Sequence, residues 1–136
     1  MFSKKSTHAK LDLPNTVIGK GVMLEAAKMT GQESIRIDGD YKGEINIDAS
    51  LVLGDTSIVT GDIRARYIVV AGQVHGNIHC DTVLHFASTA QVFGDIVAQA
   101  LIMDEGSQVN GHYRVGELTP TVEPYPSYDP EYKDEG

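Results

Sequence analysis

A chain of 136 residues with 41% hydrophobic content, no tryptophan and a formal charge of -8 has room for one domain with its own core and not for two with generous linkers. A single cysteine excludes an internal disulfide framework. No apolar run approaches the roughly 18–20 residues that span a bilayer, and Met1–Lys10 lacks a signal-type apolar stretch, so a cytoplasmic protein is predicted.

The first segment, 1–14, carries a net charge of +2 and no periodicity, and reads as a flexible tail. Met1, Phe2, Lys4 and Lys5 join one large apolar side chain to two cations, a weak interfacial anchor that needs many copies to hold. Everything that can pack lies in 15–116, an acidic body without a clustered basic face, which argues against nucleic acid as a partner. Its opening contains "TVIGKG" (Thr16–Gly21), followed by Val22–Met29, which fits a helical turn as well as a strand.

From Tyr41 onward a five-residue phrase of the type Val-x-Gly-x-Ile recurs around Gly43, Gly61, Gly76, Gly94 and Gly111, at intervals of 18, 15, 18 and 17 residues. So short a period holds no helix pair, and its unevenness excludes a coiled coil. It fits one coil of a β-solenoid with three short strands and three corners. Strand side chains alternate between faces, and every second position of each phrase is apolar: Tyr41-Gly43-Ile45-Ile47, Val59-Gly61-Ile63-Ala65, Val74-Gly76-Ile78-Cys80, Val92-Gly94-Ile96-Ala98 and Val109-Gly111-Tyr113-Val115. "LVLG" (Leu51–Gly54), "YIVVAG" (Tyr67–Gly72), "TVLHFA" (Thr82–Ala87) and "LIMDEG" (Leu101–Gly106) supply the other faces of about six coils.

The stretch "VHGNIHC" (Val74–Cys80) imitates a metal site, but the alternation turns Cys80 inward and His75 and His79 outward. Four residues of strand also hold the two imidazoles roughly 13 Å apart at Cα, so no shared zinc is expected. Stacking in register predicts an outward column Asp48, Arg66, Asp81 of alternating sign, and a column Glu44, Asp62, Asn77, Asp95 that reads as a solvated face. Phe93 and Val97 break the polar outer pattern and are candidates for lateral contact. The last segment, 117–136, holds four of the five prolines and reads as a disordered, solubilising tail, with a docking role for Tyr125, Tyr128 and Tyr132 as the alternative.

"TVIGKG", the "IRIDGDYKGEI" opening (Ile35–Ile45), the repeated phrases with Ala65 or Ala98 two residues later, and coils of 15–18 residues together resemble the bactofilins, bacterial cytoskeletal proteins, over residues 16 to 116. The resemblance implies an all-β, right-handed parallel β-helix that polymerises end to end, without nucleotide, into non-polar filaments. These would lie at the inner face of the cytoplasmic membrane, touching it through N-terminal tails and organising cell-envelope or cell-wall proteins that set cell shape. No catalytic, cofactor-binding or metal-binding residue is expected. The residues agree on two points. No cap is visible at either end, so a first coil with Val17, Ile18 and Val22 and a last one with Tyr113 and Val115 are free to pair with another subunit. No GxxxxGK[ST] or helix-opening GxGxxG provides a nucleotide site.

Rival readings are a left-handed β-helix acyltransferase, a polysaccharide-cleaving solenoid and a non-polymerising β-helical partner-binding module. Intervals of 15 and 17 break the multiple of six that hexapeptide repeats require, though Leu53–Ile58 fits one such repeat. Coils this short leave no room for the long loops of a polysaccharide cleft. The third reading predicts discrete dimers instead of filaments.

Overall fold

The computed structural model describes residues 15–116. The expected head, with Met1, Phe2, Lys4 and Lys5, and the expected tail, 117–136, lie outside the described residues. Within them the elements are all strands: β1 (Thr16–Ile18), β2 (Met23–Gly31), β3 (Ile35–Ile37), β4 (Asp40–Ile47), β5 (Ser50–Leu53), β6 (Ile58–Thr60), β7 (Ile63–Ala65), β8 (Tyr67–Val70), β9 (Gln73–His75), β10 (Ile78–Phe86), β11 (Gln91–Phe93), β12 (Ile96–Met103), β13 (Gln108–Asn110) and β14 (Tyr113–Val115). Every pairing is parallel.

Three faces result. The first stacks β1, β3, β5, β8 and the second halves of β10 and β12. The second stacks the first halves of β2 and β4 with β6, β9, β11 and β13. The third stacks the second halves of β2 and β4 with β7, the first halves of β10 and β12, and β14. Each face has six rungs, so the predicted solenoid of about six coils is present; at about 4.8 Å per rung it is roughly 25–30 Å tall.

The core follows from the alternation. Ile37, Leu53, Val70 and Phe86 line the first face from inside, Tyr41, Val59, Val74 and Val92 the second, and Ile45, Ile63, Ile78 and Ile96 the third, all buried. Cys80 takes its predicted place in the buried column with Ile47, Ala65 and Ala98. Burial pushes its thiol pKa up, and its single S–H is shared between the carbonyls of Arg66 and Val83, 3.3 and 3.1 Å from the sulfur. The same burial raises the Tyr41 phenol, whose hydroxyl donates to the Glu44 carbonyl at 3.0 Å.

The repeated glycines are corners, not inward strand positions. Gly43, Gly61, Gly76, Gly94 and Gly111 have φ between 140° and 155°. A Cβ on Gly61, Gly76, Gly94 or Gly111 would stand 2.0 to 2.1 Å from the carbonyl oxygen of the glycine one coil earlier. The missing side chain therefore lets successive coils approach along the stack.

Val22–Met29, open between strand and helical turn in the sequence, is extended: β2 pairs with β4 from Met23↔Asp40 to Gly31↔Ile47. A helix there would leave the backbone groups along the β4 edge without partners. The register slips between Glu25 and Lys28, where Ala26 and Ala27 lie opposite the single residue Gly43, a β-bulge in the first coil.

Outside, the predicted column Asp48, Arg66, Asp81 is only half realised. Arg66 lies 3.8 Å from Asp48, but Asp81 is taken by Arg64 at 2.6 Å, which also donates to Asn46 Oδ1 at 3.1 Å. Arg64 thus ties three consecutive coils. The column Glu44, Asp62, Asn77, Asp95 has a structural duty the sequence reading missed. Asp62 Oδ1 accepts from the Asn77 backbone N–H at 3.0 Å, Asn77 Oδ1 from Asp95 N–H at 2.9 Å, and Asp95 Oδ1 from His112 N–H at 3.1 Å. These side chains replace ladder acceptors just past each glycine corner.

Candidate functional site

A parallel solenoid satisfies every interior strand twice and its terminal strands once. In the first coil β1 pairs only with β3 and β2 only with β4; in the last, β13 pairs only with β11 and β14 only with β12. Among the described residues, nothing covers these outer edges.

The core is cut open at the same places. At the C-terminal end Leu101, Met103, Val109, Tyr113 and Val115 continue the columns of Leu84, Phe86, Val92, Ile96 and Ala98. The latter five are fully buried, whereas Tyr113 is 53% exposed and Met103 40%. At the N-terminal end Leu24 continues the Tyr41 column and Met29 the Ile45 column; Leu24 is 41% exposed and Met29 half-buried. Covering one apolar side chain fully stabilises by about 1.5–3 kcal/mol, so capping either slice is worth several kcal/mol before entropy is counted.

Of the five residues predicted at these ends, Ile18, Tyr113 and Val115 lie in core columns. Val22 is an exposed corner residue whose carbonyl accepts from Asp40 N–H at 2.9 Å. Val17 pairs with Arg36 in a column that points outward on the first face. Sequence reasoning missed Leu24, Met29, Leu101, Met103 and Val109. Aligning "LIMD" (Leu101–Asp104) with "LHFA" (Leu84–Ala87) would have found two of them, since it places Leu101 over Leu84 and Met103 over Phe86.

The two lateral candidates do not form one patch. Phe93 stands on the second face and stacks on His75, with ring centroids 4.8 Å apart and planes 9° from parallel. Val97 is on the third face, half-buried between His79 and Arg114. His75 and His79 are likewise on different faces, both outward, with His79 Nε2 3.6 Å from Asp81. A shallow groove of about 340 Å³ runs along the third face between Arg64, Val97 and the Glu44–Asp95 column. One oxygen each of Asp62, Asn77 and Asp95 is already committed to the backbone.

The family pattern Bactofilin, described as polymer-forming cytoskeletal, matches residues 16–114. The chain is 25% identical over 120 residues to bactofilin BacP of Myxococcus xanthus (strain DK1622), covering 88% of this chain and 50% of BacP. It is 32% identical over 62 residues to bactofilin BacO of the same organism, covering 46% of this chain and 48% of BacO. The chain thus spans about half the length of the curated relatives it matches. No solved structure matches it. Since the family pattern covers well over half of the chain, residues 16–114, the chain belongs to the bactofilin family of polymer-forming cytoskeletal proteins.

Proposed function

We propose that this chain is a scaffold subunit that assembles end to end, without nucleotide, through its two open core slices. The observation that carries the reading is the coincidence, at each end, of unpaired strand edges with incompletely covered core columns: Leu24 and the half-buried Met29 at one, Met103, Tyr113 and Val115 at the other. Joining two ends buries these columns and completes the ladders.

The ends favour like-with-like junctions and hence a filament without polarity. Head-to-tail stacking would place the Ala26–Ala27 bulge over Gly111. Inside the molecule that corner admits only a glycine, because a Cβ there meets the preceding corner carbonyl at about 2 Å.

At the inner face of the cytoplasmic membrane, Met1, Phe2, Lys4 and Lys5 supply the contact, weak in one copy and strong in a filament that repeats it. Bound there, the polymer organises cell-envelope or cell-wall proteins. Among the described residues no helix is long and apolar enough to cross a membrane.

Negative-stain microscopy of the full chain without nucleotide tests the assembly. Filaments that are unchanged by added nucleotide are expected; uniform dimers would favour the partner-binding module, and monomers would contradict both.

A further inference from the structure

The outward positions of the three faces differ in chemistry. On the second and third faces they are mainly charged or amide residues, such as Lys42, Gln73 and Gln91 or Asn46, Arg64 and Arg114. On the first face Val17, Val52, Val69 and Ile102 share one outward column with Arg36 and His85, and Tyr67 and Val83 stand in the next. The two polar members of the valine column are drawn to corner carboxylates, Arg36 to Asp38 at 2.9 Å and His85 to Asp104 at 3.0 Å. An apolar stripe, interrupted at the second and fifth rungs by Arg36 and His85, therefore runs the height of the stack, with Tyr67, 50% exposed, at its middle. No described residue covers it.

We propose that this stripe is a second assembly surface, on which two copies of this chain in neighbouring filaments pack back to back with their stacks antiparallel. The inference rests on the end-to-end reading above. Its occupant follows from the order of the rows. A two-fold axis perpendicular to the stack sets coil three against coil four and coil two against coil five. Val52 then faces Val69, and Arg36 faces the coil that carries His85 and its Asp104 partner. A parallel arrangement would set Arg36 against Arg36. Sheets packed this way lie about 10 Å apart with side chains interdigitated.

The area explains why the contact belongs to filaments. The stripe is roughly 25 Å by 10 Å, about 250 Å² per copy, against the about 800 Å² per partner of a stable interface. One pair of subunits does not stay together by it. Repeated in every subunit of a polymer, it becomes a continuous seam whose contacts add.

Two experiments on the full chain, in lipid-free solution, decide it. Tyr67→Lys puts a cation in the middle of the seam, at an exposed position outside the core. Wild type is expected as paired or bundled filaments that pellet at low speed; the variant is expected as single filaments of ordinary length that pellet only at high speed. Bundling unchanged in the variant overturns the proposal and leaves end-to-end assembly standing, the stripe then being covered by another segment or partner. The second experiment co-assembles Val52→Cys with Val69→Cys and adds a short bis-maleimide, because facing strands about 10 Å apart exceed the reach of a direct disulfide; Cys80 is buried and does not compete. The mixed 52–69 cross-link should exceed either self cross-link several-fold, whether or not Tyr67→Lys folds. Self cross-links in excess, or none within intact filaments, overturn the proposal. Wild type without any filaments fails the end-to-end reading instead.

Discussion

Gly76 shows how one residue type fixes the coil. Its φ of 155° and the 2.1 Å approach of a Cβ to the Gly61 carbonyl exclude any larger residue without separating two coils. Gly76→Ala should lower the unfolding free energy by about 2 kcal/mol or more, since backbone strain and a backbone clash act together. Gly19→Ala, with nothing within 4 Å of the new methyl, should stay within about 0.5 kcal/mol. Urea unfolding of the two variants, kept from polymerising by Tyr113→Arg, which leaves at most dimers joined at their N-terminal slices, and compared at one protein concentration, checks the contrast, and equal losses would refute the corner argument. The glycine repeat was plain in the sequence, but its reason was not. Strict alternation counts the glycine as an inward strand position, because a period of two cannot register a corner between two strands. That Cys80 points inward and His75 and His79 outward was legible, because parity holds within β9 and within β10; the single strand expected between the two histidines was not, since the corner at Gly76 puts them on different faces.

At the scale of an element, the ladder through Asp62, Asn77 and Asp95 joins consecutive coils beside the glycines. An amide between two carboxylates keeps the acceptor while removing a charge. Asn77→Asp should retain the hydrogen bond yet bring four carboxylates into the column from Glu44 to Asp95, a loss of about 0.5–1 kcal/mol at low salt. The loss should shrink in 1 M salt, where the screening length is about 3 Å. Thermal melts at the two ionic strengths measure it; a salt-independent loss would mean that the hydrogen bond, not repulsion, had been damaged. Sequence showed this column of acids but not its duty, because the acceptor geometry depends on how each corner bends. The first coil was ambiguous for a related reason. Ala26, Ala27 and Lys28 carry no strand preference, and β2 is extended only because β4 offers its edge.

At the scale of the whole molecule, the repeat made the solenoid and its coil number readable from spacing alone, as the six rungs on each face attest. The ends were read less completely. Phrases centred on glycine describe two faces and leave the third, with Leu101 and Met103, to be found from the segments between them. An assembly built from such ends predicts that membrane attachment follows polymerisation. Deleting Met1–Lys5 should abolish flotation with anionic liposomes while filaments still grow, and Tyr113→Arg should lose flotation despite its intact head. A truncated chain that floats would put the contact elsewhere. The central claim is that exposed core slices drive assembly, and Tyr113 stands in the middle of one, 53% exposed above the buried Ile96. Arginine there must be buried unpaired at any junction it enters, at a cost of several kcal/mol. The most direct measurement is high-speed sedimentation of wild type and Tyr113→Arg side by side, without nucleotide or lipid. Wild type should pellet and the variant should stay in the supernatant as a folded, β-rich species; co-pelleting of the two as indistinguishable filaments would contradict the account.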